Sequence, residues 1–124
     1  MLALGLDCAT NTGFALVSHA PRETLLEHGV VNLRTGAAVQ INVLVERIRK
    51  AVHAAGETMA GLLVAIEDPY LGKKNPKTFK VLCRFVGSLE QVFKTQGCRV
   101  ELVTASEWLC PPIASCPVIR AAAR

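Results

Sequence analysis

Two carboxylates end the two most apolar short segments of the chain. Asp7 closes the segment 2–7, and Glu67 closes the segment 61–67. A carboxylate at the end of an apolar strand is costly unless water, a partner or a cation stabilises it. If the two strands are parallel neighbours, both side chains leave one edge of the sheet, where they could share Mg²⁺ or Mn²⁺. Two such ions activate water and stabilise the leaving oxygen in phosphodiester cleavage. The alternative is structural: Asp7 caps the following turn and Glu67 begins a loop.

The segment 73–99 has seven cations against the single anion Glu90. A clustered basic stretch is typical of a protein that binds a polyanion. In a helix, the spacing of Lys77, Lys80 and Arg84 places them along one face. Such a face either contacts phosphates or is simply solvated, and the charge pattern by itself leaves both interpretations open.

The elements that must position these residues follow from apolar periodicity and turn residues. Apolar runs predict strands at 2–7, 14–17 and 28–33, with a turn at 10–13 in which Asn11 and Gly13 can take positive φ. A helical period covers 38–55, and a longer one begins after Asn75 and Pro76, which suit an N-cap and a first turn. Further strands are predicted at 61–66 and 98–104. The order β-β-β-α-β-α-β predicts one α/β domain with a five-stranded mixed sheet flanked by helices.

The composition suits a single aliphatic core. The chain has 124 residues, of which 51% are hydrophobic and 5% aromatic. Its five cysteines form no CxxC pair, and Cys8, Cys83 and Cys98 lie in apolar runs, where free cysteine behaves as a small hydrophobe. Zinc binding by Cys110 and Cys116 is disfavoured because no histidine is near them. This cysteine usage, with no leader-like segment or membrane-length apolar run, leads us to expect a cytoplasmic protein with no membrane partner.

Several segments resemble a known family. Gly5-Leu-Asp7 is followed by a small-residue turn, Gly13 and a second apolar run, which resembles the first motif of RuvC-like Holliday junction resolvases. Ala65-Ile-Glu67 resembles their second motif, in which a glutamate closes the fourth strand. Tyr70 falls where the family often has an aromatic residue implicated in stacking on junction DNA. The lysine-rich loop, the long helix and the strand that precedes Trp108 continue the likeness over nearly the whole chain.

The resemblance implies an RNase H-like fold and a Mg²⁺- or Mn²⁺-dependent endonuclease that resolves Holliday junctions or other branched DNA. Asp7 and Glu67 would be catalytic metal ligands, and Tyr70 would contact bases. The family commonly forms a homodimer through its long helix, here 76–96. A second apolar set on that helix (Val81, Phe85, Val92) could serve this role or pack against the domain's other helix. The implied phosphate contacts are Lys73, Lys74, Lys77, Lys80 and Arg84.

The C-terminal region departs from the family pattern. The family completes its active site with two further acidic or His/Asp residues on a C-terminal helix, whereas this chain has no acidic residue after Glu107. We expect an RNase H-like domain at 1–109 and an atypical tail at 110–124, with the usual C-terminal helix truncated. Our hypothesis is a truncated or shifted reading frame near Leu109, and a gene in which no other frame encodes an acidic helix would refute it. Alternatively, a third ligand comes from Asp68, Glu101 or Glu107.

Two other functions compete with the nuclease. The segment 7–13 also resembles the first phosphate loop of actin- and hexokinase-like ATPases. Those proteins need a second phosphate loop and an adenosine motif in another domain, which 124 residues do not supply. A catalytically impaired or inactive branched-DNA-binding module of the same fold is the non-enzymatic alternative. It predicts junction binding without cleavage, whereas the nuclease predicts Mg²⁺- or Mn²⁺-dependent nicking that disappears in Asp7→Asn or Glu67→Gln.

Overall fold

The computed structural model describes residues 1–19, 22–34, 36–69 and 75–104. Over these residues the element order is the predicted β-β-β-α-β-α-β, with one short 3-10 turn at Met59–Gly61 before the fourth strand. The five strands are β1 (Leu2–Asp7), β2 (Asn11–Ser18), β3 (Thr24–Asn32), β4 (Leu62–Glu67) and β5 (Arg99–Val103), and the two helices are α1 (Ala37–Ala54) and α2 (Pro76–Thr95).

The sheet is mixed, as predicted, with the strand order β3-β2-β1-β4-β5. β1 pairs antiparallel with β2 and parallel with β4, which in turn pairs parallel with β5. The central strand β1 pairs with a strand on each side, and four of its six residues are buried. This position explains why its sequence is an almost continuous apolar run.

The hairpin strands β2 and β3 are longer than their apolar runs predicted. They pair from Asn11 opposite Asn32 to Ser18 opposite Thr24. The predicted turn at 10–13 is wrong, because Asn11 and Gly13 belong to β2 and Gly13 pairs with Asp7. Neither residue has positive φ; in the described part of the chain only three glycines do. The antiparallel ladder with β1 keeps this segment extended.

Both helices cover one face of the sheet. Their buried stripes join a single hydrophobic cluster with the side chains of β1 and β4 that alternate toward the same side. The α1 stripe is the predicted one, and α2 buries Leu82, Val86, Leu89 and Phe93. Asn75 caps α2 by accepting a hydrogen bond from the Thr78 amide at 2.8 Å. In the part of the chain that the structure describes, neither helix is long and apolar enough to cross a membrane.

Arg47 of α1 attaches this helix to the edge strand β3. Its guanidinium lies 2.9 Å from a Glu27 carboxylate oxygen, donates to the His28 carbonyl at 3.2 Å and lies 5.0 Å from the centre of the Phe14 ring. Gly29 makes this stacking possible. A Cβ atom there would lie 3.1 Å from two Phe14 ring carbons and 3.2 Å from Arg47 Nη1.

We expect Gly29→Ala to lower the free energy of unfolding by about 1–3 kcal/mol, because the added methyl group overpacks a contact between ring and guanidinium. Urea denaturation followed by circular dichroism measures this change. Gly87→Ala is the matched control, since a Cβ on that exposed residue of α2 meets nothing within 4 Å. The control should gain about 0.5–1 kcal/mol from helix propensity. Equal stability of Gly29→Ala and the wild type would contradict the packing described above.

Candidate functional site

Asp7 and Glu67 lie at the carboxyl ends of paired parallel strands. Leu6 is opposite Ile66 in the parallel ladder, so these two acids occupy the next positions of the register. Neighbouring strands run about 4.8 Å apart, which brings both carboxylates within reach of one cation. Because side chains alternate along a strand, both acids point away from the face that the helices cover. The structure thus brings together Asp7 and Glu67, the two residues that the sequence predicted. We call this position, at the carboxyl ends of the central strands β1 and β4, the carboxylate edge.

The turn after Asp7 is held by Thr12, a residue that the sequence did not single out. The Thr12 side chain is fully buried, its hydroxyl donates to the Ala9 carbonyl at 2.7 Å, and the Ala9 amide donates back at 3.4 Å. The Leu33 amide also donates to the Thr10 carbonyl at 2.7 Å, which attaches the turn to the end of β3. These bonds fix the backbone that follows Asp7.

The Asp7 side chain does not cap this turn. It is exposed, and among the described residues no hydrogen bond or ion pair involves its carboxylate. The capping alternative is therefore wrong for Asp7, because Thr12 performs that function from the opposite side of the turn. A rigid turn beside an exposed carboxylate suits a ligand site.

We expect Thr12→Val to destabilise the fold by about 1–3 kcal/mol, because the change keeps the shape and leaves the Ala9 carbonyl without its partner. Thr24→Val, at an exposed strand position, is the control and should change stability by less than about 0.5 kcal/mol. Thermal unfolding of both variants makes the comparison, and equal melting temperatures would show that Thr12 does not hold the turn.

The Cys8 thiol follows Asp7 in the chain and has a raised pKa. Burial is the main cause that raises the pKa of Cys8 from 9.0 to about 11, a hydrogen bond with Thr12 lowers it in part, and the charges of Asp7 and Glu67 raise it further. The effect of both charges is consistent with the strand register, which places the two acids at adjacent positions. Burial alone raises the pKa of Cys98 from 9.0 to about 11.

These thiols predict a pattern of alkylation. At pH 8 we expect iodoacetamide to modify the exposed Cys83 and to spare Cys8 and Cys98, which are neutral and partly or fully buried. Peptide mass mapping after alkylation measures the labelling, and equal labelling of the three thiols at pH 8 would contradict this pattern. Because the folded pKa values exceed the unfolded value, the free energy of unfolding should also fall as the pH rises from 9 toward 11. The exposure of Cys83 corrects its prediction as a buried hydrophobe.

The described residues supply no third ligand at the carboxylate edge. They contain no group of three or more His, Cys, Asp or Glu side chains that could hold a metal ion. Glu101 is paired in register with Ala65 rather than Glu67, and its carboxylate accepts a hydrogen bond from Arg99 at 3.1 Å. Asp68 follows β4, and its amide donates to the Val103 carbonyl at 2.7 Å. The third predicted candidate, Glu107, lies outside the described residues.

The cations Lys77, Lys80 and Arg84 are exposed on α2, and we call them the basic face. Within the described ranges they form no ion pair. Four other cations each bind a carboxylate at 2.8–3.5 Å: Arg47, Arg49, Lys94 and Arg99. A set of uncompensated cations on one helix face is what a polyanion interface requires.

The amino ends of both helices lie near the carboxylate edge. The strand β3 is parallel to β1 and ends at Asn32, opposite Asn11 near the turn after Asp7, so α1 begins on that side. α2 likewise follows the carboxyl end of β4 and runs back to the start of β5. Neither helix has an acidic residue in its first turn. Helix amino ends and the carboxyl ends of parallel strands are where open α/β sheets bind anionic ligands.

Several predictions concern residues that the structure does not describe. Tyr70, Lys73 and Lys74 lie in the connection between β4 and α2, outside the described residues. The same holds for the domain boundary at 109 and the tail 110–124. The three apolar residues of α2 that could mediate dimerisation differ in burial. Phe85 and Val92 pack against the domain's own core, and Val81 is 38% exposed. Dimerisation through α2 stays a prediction.

The fold of this chain is similar to that of several solved structures, although no family model and no curated protein matches the chain. Thermus thermophilus RuvC in complex with a Holliday junction substrate has a TM-score of 0.63 at 16% identity, over 86% of this chain and 66% of that chain. A second Thermus thermophilus RuvC structure has a TM-score of 0.60 at 19% identity, over the same shares of the two chains.

A viral protein also matches. The fowlpox virus Holliday junction resolvase matches with a TM-score of 0.52 at 12% identity, over 84% of this chain and 61% of that chain. The matched region thus spans 61–66% of the length of the three structures, which is less than two thirds of each. The described strands and helices, with Asp7 and Glu67 at one sheet edge, have the fold of the RuvC-like Holliday junction resolvases.

Proposed function

We propose that this protein is a divalent-metal-dependent, structure-selective endonuclease that hydrolyses phosphodiester bonds in branched DNA such as a Holliday junction. One observation carries the proposal: Asp7 and Glu67 occupy adjacent positions at the carboxyl ends of paired parallel strands. Carboxylates side by side at the ends of parallel strands supply the oxygen ligands that a divalent cation prefers. The fold likeness to Holliday junction resolvases supports the choice of substrate.

The donor set fits Mg²⁺ or Mn²⁺. Both ions prefer oxygen ligands, and Mg²⁺ is commonly held by one or two carboxylates, with water and substrate phosphate oxygens in the other positions. When bound, such an ion lowers the pKa of a coordinated water and neutralises charge on the phosphate. The chain's own contribution is to orient two carboxylates: Thr12 fixes the turn after Asp7, and pairing with Val103 of β5 fixes Glu67.

The basic face supplies the DNA contacts in this proposal. Lys77, Lys80 and Arg84 would neutralise phosphates, which gives affinity and register without sequence information. Lys73 and Lys74 would extend this contact along the connection that leads from Glu67 to α2. Tyr70, three residues after Glu67, would contact a base at the branch point.

A branched-DNA-binding module without catalysis is the second candidate. It is supported by the small number of ligands, since the described residues contain no group of three or more His, Cys, Asp or Glu side chains that could hold a metal ion. Such a module would keep the basic face and would bind a metal ion weakly, because most coordination positions would be left to water. It predicts junction binding that is independent of divalent ions.

One assay separates the two functions. A labelled four-way junction and a linear duplex of equal length are mixed with the protein, in EDTA or in Mn²⁺, and both binding and strand nicking are measured. The endonuclease predicts junction nicking that requires Mn²⁺ and is much slower on the duplex. Junction binding without nicking in either condition would establish the module, and no preference for the junction would refute both.

A further inference from the structure

The strand β3 forms one edge of the described sheet and is the longest of its strands. It has nine residues, three of which are exposed large apolar side chains: Leu25 at 55%, Leu26 at 37% and Val30 at 65%. The strand at the other edge, β5, has five residues, and two of them are the charged Arg99 and Glu101. A long edge strand with exposed apolar residues is a template for pairing with another chain, whereas a short, charged one is not.

The outer side of β3 is blocked at its centre, at His28. In an antiparallel ladder, every second residue points both its amide and its carbonyl away from the partner strand. The His28 amide donates to a Glu27 carboxylate oxygen at 3.2 Å, and the His28 carbonyl accepts from the Arg47 guanidinium at 3.2 Å. Side chains of the same molecule therefore occupy both backbone groups that a further strand would need at this position.

The two blocking side chains, which we call the edge pair, hold each other in place. Arg47 Nη2 lies 2.9 Å from the same Glu27 oxygen that accepts the His28 amide. The guanidinium also lies 5.0 Å from the centre of the Phe14 ring. Because a largely exposed ion pair contributes little to stability, its position over the free backbone of an edge strand is more informative than its energy.

We propose that the edge pair prevents β3 from pairing with β3 of a second copy of this chain. The excluded partner is a second copy because the edge is complementary to itself. An antiparallel pair of β3 strands centred on His28 places Val30 of one copy opposite Leu26 of the other, so that exposed apolar residues cover each other on both sides of the twofold axis. This pairing requires Glu27 and Arg47 to release the His28 backbone. The inference is independent of the proposed nuclease.

Two variants of the full chain disrupt the edge pair from either side. Arg47→Met removes the donors and keeps an unbranched side chain of good helix propensity, and Glu27→Thr removes the acceptor with a residue that favours strands. Arg49→Met is the matched control on the same helix, because it breaks contacts with Glu46 and Gln96 that lie away from β3. Circular dichroism shows whether each protein is folded, and sedimentation equilibrium over a range of concentrations measures its mass.

We expect Arg47→Met and Glu27→Thr to self-associate as the concentration rises, toward about twofold the mass of the wild-type species, as a twofold-symmetric pair requires. Arg49→Met should keep the wild-type mass. Addition of Val30→Lys to either disrupted variant should restore the wild-type mass, because a charge on an edge strand opposes strand pairing.

Four outcomes would overturn the proposal. Either edge-pair variant, if folded, refutes it by keeping the wild-type mass at all concentrations. Association that persists after Val30→Lys would place the contact outside β3. Equal association by Arg49→Met would show that the loss of a charge is sufficient. Equal association by Val86→Ala, which weakens the core beneath α2, would show that reduced stability is the cause rather than an unblocked edge.

Discussion

Asp7→Asn is expected to slow Mn²⁺-dependent nicking of a four-way junction by on the order of 10²-fold or more, and Glu67→Gln by a similar factor. Each change keeps the size of the side chain and removes the negative charge that a divalent ion needs. The double variant should be scarcely slower than either single variant, because two residues that hold one ion act as a unit. Single-turnover nicking rates with saturating protein measure the effect on chemistry alone.

Glu101→Gln is the matched control for these substitutions. It removes one carboxylate from the neighbouring strand β5. This carboxylate accepts a hydrogen bond from Arg99, and Glu101 lies opposite Ala65 rather than Glu67 in the strand register. Its nicking rate should stay within about twofold of the wild type, since surface substitutions away from a site have small effects. Junction affinity in EDTA should persist in Asp7→Asn and Glu67→Gln. Loss of folding, judged by circular dichroism, would disqualify a variant, and undiminished nicking by both would contradict the assignment.

The triple variant Lys77→Gln, Lys80→Gln, Arg84→Gln is expected to weaken junction binding by on the order of 10²-fold or more near physiological salt. The three cations project from one exposed face and form no ion pair among the described residues. The slope of log affinity against log salt should fall by about three, because each neutralised phosphate contributes about 0.9 to the slope.

A second triple variant provides the control with equal net charge. Arg49→Gln, Lys94→Gln and Arg99→Gln remove three cations that each form an ion pair with a carboxylate. Arg49 also donates a hydrogen bond to Gln96 at the end of α2, so circular dichroism must show that the control is folded. Because largely exposed ion pairs contribute little to stability, we expect the control to fold and to lose far less affinity. Equal losses of affinity in the two triple variants would mean that net charge, rather than the basic face, drives binding.

The sequence predicted the features that depend on local periodicity. Short apolar runs and helical stripes predicted every described strand and both helices in order, and residues such as Asn75 and Gly97 marked helix ends correctly. Asp7 and Glu67 stood out because an acid after an apolar run is costly. Their adjacency follows once the strands are parallel neighbours, which is a property of topology rather than of either segment.

Features that depend on distant partners escaped prediction. The start of β2 at Asn11 is set by its ladder with β1 and β3, and no local apolar residue marks it. Thr12 was passed over because a threonine in a turn is common, and only its complete burial reveals its function. The separation of paired from unpaired cations likewise requires tertiary contacts, as in the Arg47–Glu27 pair between α1 and β3.

The proposed chemistry depends on the carboxylate pair, because the identity to the matched resolvases is low. At 16% identity the likeness establishes the fold, and the chemistry rests on Asp7 and Glu67 themselves. The most direct measurement is isothermal titration of Mn²⁺ into metal-free wild-type protein and into the Asp7→Asn, Glu67→Gln and Glu101→Gln variants. We predict saturable binding to the wild type and to Glu101→Gln, and its loss in each of the other two. Absence of binding to the wild type, or undiminished binding to Asp7→Asn and Glu67→Gln, would show that these two carboxylates do not form a metal site.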